Sequence, residues 1–238
     1  MPLYHDMGLL GFNLTPLLTG TNQYHIETID FIKNPSLWLD LLSDARISIS
    51  GSPNFGQSLI LRHLQRKKQE HNWNFSSVKA LLNGAEPISA NILEEFTRAI
   101  ERHGFPENAM MPVYGMAEAT LAVSFTPLMK PSVTSIFDSD KLDMNGIALP
   151  VSSGSRHGRQ LTSVGNALKD IEIRVVDEND ELLPETRVGH IQIKGPAVTR
   201  GYYKNPEATT YLFSGDWLRT GDLGFFLDGN LYISGRFK

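Results

Sequence analysis

The sequence predicts an α/β fold, a mainly parallel sheet layered with helices, followed by a small β-barrel-like subdomain. Three observations predict it. From Leu9 to about Thr126, short apolar runs alternate with longer stretches of helical period, the rhythm of helices packed on a parallel sheet. Residues 127–163 lose that period and fill with Ser, Pro, Gly and Asp. Past Val164 the chain turns into successive β-hairpins.

Residues 47–50 and 78–82 are the strand candidates of the first part. Residues 35–42 carry apolar side chains at helical spacing, with Asn34 as the expected cap, and residues 89–103 repeat the design before Gly104 stops it. Residues 127–163 read as a long irregular insertion holding one strand. In the last part, strands at 171–176 and 189–194 flank a polar turn at Asp177-Glu178-Asn179-Asp180. Asp228-Gly229 is a tight-turn signal between a strand ending near Phe226 and the strand Leu231-Tyr232-Ile233. The expected organisation is therefore residues 1–126, an insertion at 127–163, and a β subdomain at 164–238.

A chain of 238 residues can bury a sizeable core, and 41% apolar with 20% charged residues is the composition of a folded globular protein. The net charge of −4, with Lys and Arg scattered, gives no support to nucleic-acid binding. The densest basic run, residues 62–68, has the pattern of a solvated helix face. The absence of cysteine excludes disulfides and thiolate chemistry and fits a cytoplasmic protein. No apolar run approaches the roughly 20 residues of a transmembrane helix. The opening Met1-Pro2-Leu3-Tyr4-His5-Asp6 lacks the basic flank and apolar centre of a signal peptide, and reads as the middle of a domain.

Three segments carry chemistry. Asn83-Gly84-Ala85-Glu86-Pro87-Ile88 follows a buried strand and precedes a helix, the place where α/β sheets bind ligands and where Gly permits close backbone approach. An ordinary strand-to-helix turn reads equally well from these six residues. Val113-Tyr114-Gly115-Met116-Ala117-Glu118-Ala119-Thr120 offers a flat ring at Tyr114 for a purine and a hard oxygen ligand for Mg²⁺ at Glu118. A lone Tyr or Glu is more often structural. In Trp217-Leu218-Arg219-Thr220-Gly221-Asp222-Leu223-Gly224, followed by Ser234-Gly235-Arg236-Phe237-Lys238, a carboxylate can accept from both ribose hydroxyls and a guanidinium can reach ribose or phosphate. Asp222 also suits a hairpin corner, and Arg236 a surface charge.

Taken in this order, Tyr114-Gly115-Met116-Ala117-Glu118, residues 195–209, and Arg219-Thr220-Gly221-Asp222 with Gly235-Arg236-Phe237-Lys238 resemble the adenylate-forming superfamily of acyl-CoA synthetases, peptide-synthetase adenylation domains and luciferases. The resemblance covers essentially the whole chain and implies part of that superfamily's large domain. Within it, Pro2-Leu3-Tyr4-His5-Asp6-Met7-Gly8-Leu9, Ser52-Pro53-Asn54-Phe55, Asn83-Gly84-Ala85-Glu86-Pro87 and residues 114–121 are most similar to fatty acyl-AMP ligases. Those enzymes load fatty acids onto carrier proteins. Residues 127–163 fall where that branch carries an insertion thought to restrain lid movement and disfavour thioester formation with coenzyme A.

The resemblance implies a role for each matching residue. Gly84, Ala85 and Glu86 border the adenine and Tyr114 stacks on it. Gly115, Met116 and Ala117 run beside the α-phosphate, where backbone donors can stabilise developing charge. Glu118 binds Mg²⁺, Asp222 holds the ribose hydroxyls, and Arg236 contacts ribose or phosphate. His5, with Asp6, lies where the family guards the carboxylate end of the acyl tunnel, and a packed, hydrogen-bonded histidine fits that position equally. The implied substrates are ATP and a fatty acid, the products acyl-AMP and pyrophosphate, the metal Mg²⁺, and the acceptor an acyl carrier protein serving lipid or polyketide synthesis.

The family's Ser/Thr/Gly-rich loop, which grips the β- and γ-phosphates, and its C-terminal domain with a catalytic lysine have no counterpart in these 238 residues. Negligible adenylation by the isolated chain is the expectation. Two other readings stand beside this one: a fragment of a fatty acyl-CoA ligase, and a non-catalytic nucleotide-binding or interaction module.

Overall fold

A computed structural model describes residues 1–66 and 70–237. The chain forms two compact units, Met1–Val113 with Pro127–Ser132, and Tyr114–Thr126 with Val133–Lys238.

In the first unit, Met7–Leu14 winds as a π-helix whose first N–H is accepted by the Asp6 carboxylate at 2.6 Å. It runs into α1 (Thr15–Thr19), followed by α2 (Thr28–Lys33) and α3 (Ser36–Asp44). Then come β1 (Ile49–Gly51), α4 (Asn54–Arg66), β2 (Ala80–Asn83), α5 (Ala90–Glu101) and β3 (Met110–Gly115), whose last two residues open the second unit. Strand β2 lies between β1 and β3 and is parallel to both, with Ser50 opposite Leu81 and Leu82 opposite Met111. Ala80 and Leu81 are both buried although they point to opposite faces, because helices cover a parallel sheet on both sides.

Helix α5 buries Leu93, Phe96 and Ile100, spaced three and four apart, as an amphipathic helix on a core must. Ser89 caps it, accepting from the Ile92 N–H, and Gly104 follows at φ +80°. Phe96 stacks on Trp38 of α3 with centroids 6.1 Å apart, and Leu39, Ile60, Phe75 and Leu81 complete the core around them. The expected cap of α3 differs: Asn34 Oδ1 accepts from the Ser36 hydroxyl, and Pro35 takes the N-cap place already in helical conformation. Of the basic run, Arg62 and Arg66 are exposed on α4, while Lys67 and Lys68 lie outside the described residues, as does Lys238.

The second unit begins with a 3₁₀ turn at Ala117–Ala119 and β4 (Ala122–Phe125). It continues through β5 (Thr134–Asp138), α6 (Ser139–Asn145), β6 (Gly158–Thr162), β7 (Asn166–Ala167), β8 (Glu172–Val176) and β9 (Gly189–Lys194). The last elements are α7 (Pro206–Leu212), β10 (Phe213–Ser214), β11 (Trp217–Leu227) and β12 (Asn230–Arg236). An antiparallel sheet runs β10-β11-β9-β8, with β12 also on β11, and β4 pairs with β7.

Residues 127–163 hold more structure than the single strand their composition suggests. Strands β5 and β6 pair antiparallel, Thr134 opposite Thr162. Between them α6 starts at Asp138, whose carboxylate accepts from Lys141 N at 2.9 Å, and stops at Gly146 with φ +61°. The anchor is aromatic: Phe137 sits edge-on to Phe225 at 5.0 Å and to Tyr232 at 5.5 Å, all three buried.

Candidate functional site

Two residues of β3 set up one side of the site. Tyr114 ends the strand's buried run, and its hydroxyl donates to Asp222 Oδ2 at 2.6 Å. Gly115 is required by close approach, since a Cβ there would lie 1.9 Å from the Leu121 carbonyl oxygen. Met116 N donates to that same oxygen at 2.9 Å, closing a tight turn that Thr120 leaves at φ +66°. The Met116 N–H is thereby occupied within the turn itself.

Glu118 sits in the middle of this turn and is held from the segment 195–209. Thr199 N donates to the Glu118 carbonyl at 2.7 Å, Thr120 Oγ1 donates to the Ala197 carbonyl at 2.8 Å, and Tyr202 Oη donates to Glu118 Oε1 at 2.7 Å. Among the described residues, Glu118 Oε2 accepts no hydrogen bond. That leaves a partly exposed carboxylate oxygen, a donor of the kind that hard divalent cations take. No cluster of three or more His, Asp or Glu side chains able to hold a metal occurs among the described residues, so Glu118 would share a cation with non-protein ligands.

Asp222 is presented by an irregularity in β11. Arg219 stands opposite Gln192 and Leu223 opposite His190, so four steps along β11 match two along β9. The extra residues leave the ladder at Gly221, φ +77°, and bulges of this kind re-aim side chains. Thr220 replaces lost ladder bonds: its hydroxyl donates to the Ile191 carbonyl at 2.9 Å and accepts from Asp222 N at 3.1 Å. On the other edge Asp222 is directly opposite Arg236, whose Nε lies 3.3 Å from Oδ1. The carboxylate is thus 16% exposed with a ligand on each oxygen, while Arg236 is 77% exposed.

Burial, and next the Asp222 carboxylate, push the Tyr114 hydroxyl well above the usual phenol range. Tyr114 therefore remains a donor throughout neutral pH, and its ring is locked in place by its own hydroxyl. Arg219, in the same motif as Asp222, turns elsewhere, donating to Asp180 Oδ2 and the Phe213 carbonyl, each at 2.9 Å. Asp180 also accepts from Ser214 Oγ at 2.6 Å and from Gln192. The Ser214 bond first, with help from Gln192 and Arg219, lowers its pKa to about 2. Arg219 is a structural residue of the β sheet. Gly221 and Tyr202 line an open groove of about 1440 Å³; Tyr114, Glu118, Asp222 and Arg236 sit outside its walls.

The other candidate residues, Gly84, Ala85, Glu86 and His5, belong to the first unit. Gly84 follows β2, and a Cβ there would meet Val113 Cγ2 at 2.7 Å and its carbonyl oxygen at 2.8 Å. Ala85 takes φ +70°. Glu86 Oε1 accepts from Phe55 N at 2.8 Å in the first turn of α4. Asn54 braces the same loop, donating to the Pro87 carbonyl at 2.7 Å and accepting from Ser89 N at 3.3 Å. His5 lies with Nδ1 2.6 Å from Asp6 Oδ1, a local pair at the start of the π-helix.

Tyr202 and Asn54 brace candidate residues without carrying a chemical signature of their own. Each lies inside a segment that carries the family resemblance, and that is their only signal in the sequence.

Three kinds of similarity bear on this geometry. The chain is 39% identical over its full length, and over 42% of the relative's, to a putative acyl-CoA synthetase of Caulobacter vibrioides. It is 33% identical over its full length to a medium-chain-fatty-acid–[acyl-carrier-protein] ligase of Teredinibacter turnerae, and 33% identical to a long-chain-fatty-acid–AMP ligase of Mycolicibacterium smegmatis. It spans 39% and 41% of the latter two, about two fifths of their length. One chain from structural studies of fatty acyl-adenylate ligases of E. coli and L. pneumophila superposes with a TM-score of 0.93 at 37% identity, over 99% of this chain and 42% of that one. The L. pneumophila ligase solved with acyl adenylate and pyrophosphate gives 0.93 at 32% identity, over 100% of this chain and 43% of that one. With the profile of the AMP-binding enzyme family matching residues 1–203, this chain belongs to that family of adenylate-forming enzymes.

Proposed function

We propose that this chain supplies the adenine, ribose and magnesium side of a cytoplasmic fatty acyl-AMP ligase. Such an enzyme joins a fatty carboxylate to the AMP portion of ATP, releases pyrophosphate, and passes the acyl group to the phosphopantetheine of an acyl carrier protein. The observation that carries the reading is the Tyr114–Asp222–Arg236 constellation, a locked aromatic ring beside a carboxylate and a guanidinium. Its support is the similarity to ligases bearing fatty acyl-AMP and carrier-protein names.

In this reading the Tyr114 ring face takes the adenine, and Gly84, Ala85 and Glu86 keep the adenine-side role that the family resemblance implies for them. A carboxylate offers about four lone-pair sites, so Asp222 can accept from ribose hydroxyls while keeping Tyr114 and Arg236. Arg236, mostly exposed, turns its free guanidinium edge to ribose or phosphate. Gly115, Met116 and Ala117 form the turn beside the α-phosphate, and His5 guards the acyl carboxylate. Glu118 would hold Mg²⁺, which neutralises charge on the departing pyrophosphate. The attacking carboxylate is already a nucleophile, so the residues here align and stabilise rather than transfer protons. Residues 127–163 are the branch's insertion.

The test is acyl transfer by the natural protein carrying this sequence, given ATP, Mg²⁺, a fatty acid and either holo acyl carrier protein or coenzyme A. Acyl carrier protein thioester with little acyl-coenzyme A supports the proposal, and efficient acyl-coenzyme A formation replaces it with the acyl-CoA ligase reading. The 238 residues alone should bind AMP but show negligible ATP–pyrophosphate exchange.

A further inference from the structure

Glu118 is the one proposed metal ligand in the chain, and a carboxylate on a turn is free to rotate unless something holds it. The segment 195–209 does so at three points. Two of them, Thr199 N to the Glu118 carbonyl and Thr120 Oγ1 to the Ala197 carbonyl, fix the backbone of the turn. The third acts on the side chain alone: Tyr202 Oη to Glu118 Oε1, at 2.7 Å.

The backbone of Tyr202 is itself anchored. Its N–H donates to Thr209 Oγ1 at 2.9 Å, and that hydroxyl donates on to the Asn205 carbonyl at 2.8 Å. Thr209 stands in α7, which begins at Asn205 with its side chain accepting from Ala208 N at 3.1 Å. Gly201, at φ +139°, lets the chain pass Thr209, since a Cβ there would lie 2.4 Å from Thr209 Cγ2. A short helix, a threonine and a glycine thus serve to aim one phenol. The bond engages a single oxygen of Glu118, and among the described residues Oε2 accepts no hydrogen bond.

We propose that Tyr202 is a positioning residue for the metal: by holding Oε1 it fixes the plane of the Glu118 carboxylate and presents Oε2 to the divalent cation of the ATP complex. The inference rests on the assignment of Glu118 as metal ligand. Tyr202 touches neither nucleotide nor acyl chain in this role. A hydrogen bond to a charged group that is partly exposed is worth enough to change metal affinity by roughly threefold to tenfold.

The experiment uses the natural protein carrying this sequence. Free Mn²⁺ is counted by electron paramagnetic resonance during titration with ATP present, and the Mg²⁺ dependence of ATP–pyrophosphate exchange is followed in parallel. Tyr202→Phe keeps the ring and removes only the hydroxyl. The residue is 43% exposed, and a thermal midpoint close to the parent's shows that the fold is kept. Expected is a Mn²⁺ dissociation constant raised about fivefold, with half-saturating Mg²⁺ raised to match, and a smaller loss of kcat at saturating metal. Glu118→Gln should weaken Mn²⁺ binding further, and adding Tyr202→Phe to it should change nothing more. Unaltered Mn²⁺ affinity in Tyr202→Phe alongside weakened affinity in Glu118→Gln overturns the role of Tyr202 alone. Unaltered affinity in both overturns the metal assignment of Glu118, and additive losses in the double variant show that Tyr202 acts by another route.

Discussion

The hydroxyl of Tyr114 donates to Asp222 Oδ2 at 2.6 Å, joining two residues 108 positions apart in the chain. The bond links the residue proposed to carry the adenine to the one proposed to carry the ribose, so neither can move independently.

Its first consequence is a pH dependence. Burial and the neighbouring carboxylate raise the Tyr114 pKa in the folded state, so the folded chain keeps a proton that the unfolded chain releases near pH 10. Stability from this group is complete below about pH 10 and falls as pH rises beyond it, by up to ~1.4 kcal/mol per pH unit. Tyr114→Phe should cost about 2 kcal/mol at pH 7 and flatten that alkaline decline. Urea unfolding of the chain at pH 9 and pH 11 checks both effects, and equal slopes for parent and variant would refute the assignment.

Acid should act through Asp180. Its pKa is lowered to about 2 by Ser214, then Gln192 and Arg219, so its contribution is present above the ordinary aspartate value near pH 4 and is lost as pH falls toward 2. Asp180→Asn should lower stability at pH 5 but lose less than the parent on acidification to pH 2.5. Circular dichroism melts at the two pH values measure this, and parallel losses would show that Asp180 does not titrate in that window.

Gly115→Ala is predicted to cost more than about 2 kcal/mol, because its Cβ would fall 1.9 Å from the Leu121 carbonyl oxygen and the turn carrying Glu118 would have to open. AMP affinity, measured by calorimetry at a temperature where the variant is folded, should fall with it. Retained affinity would mean that the turn does not border the nucleotide.

The insertion should be stapled by its aromatic anchor. Phe137→Ala removes a buried ring packed on Phe225 and Tyr232 and should cost about 3–5 kcal/mol. Hydrogen exchange should then show β5 and β6 opening before β9 and β11. Uniform exchange across all four strands would contradict an insertion held chiefly by this ring.

The unforeseen structure of residues 127–163 shows where sequence pattern ends. Strands β5 and β6 are separated by a helix and a polar loop, so their pairing leaves no local turn signal, and their buried face rests on Phe225 and Tyr232 from far along the chain. Helix α5 was legible, because a cap at Ser89 and apolar residues at 93, 96 and 100 are local facts. The cap of α3 was not, since Asn34 met a competing hydroxyl at Ser36.

Local chemistry left Tyr114, Glu118, Asp222 and Arg236 open to structural readings, and only the order of their segments, through the resemblance to the adenylate-forming superfamily, singled them out as a proposed nucleotide-handling set. Tertiary structure alone decided their connections. The bulge at Gly221 that places Asp222 opposite Arg236, the reach of Tyr114 to Asp222, and the grip of Tyr202 on Glu118 all depend on strand register and on contacts across 14 to 108 residues. Hydrogen bonds at such separation are set by packing, and packing is a property of the folded chain rather than of any short segment within it.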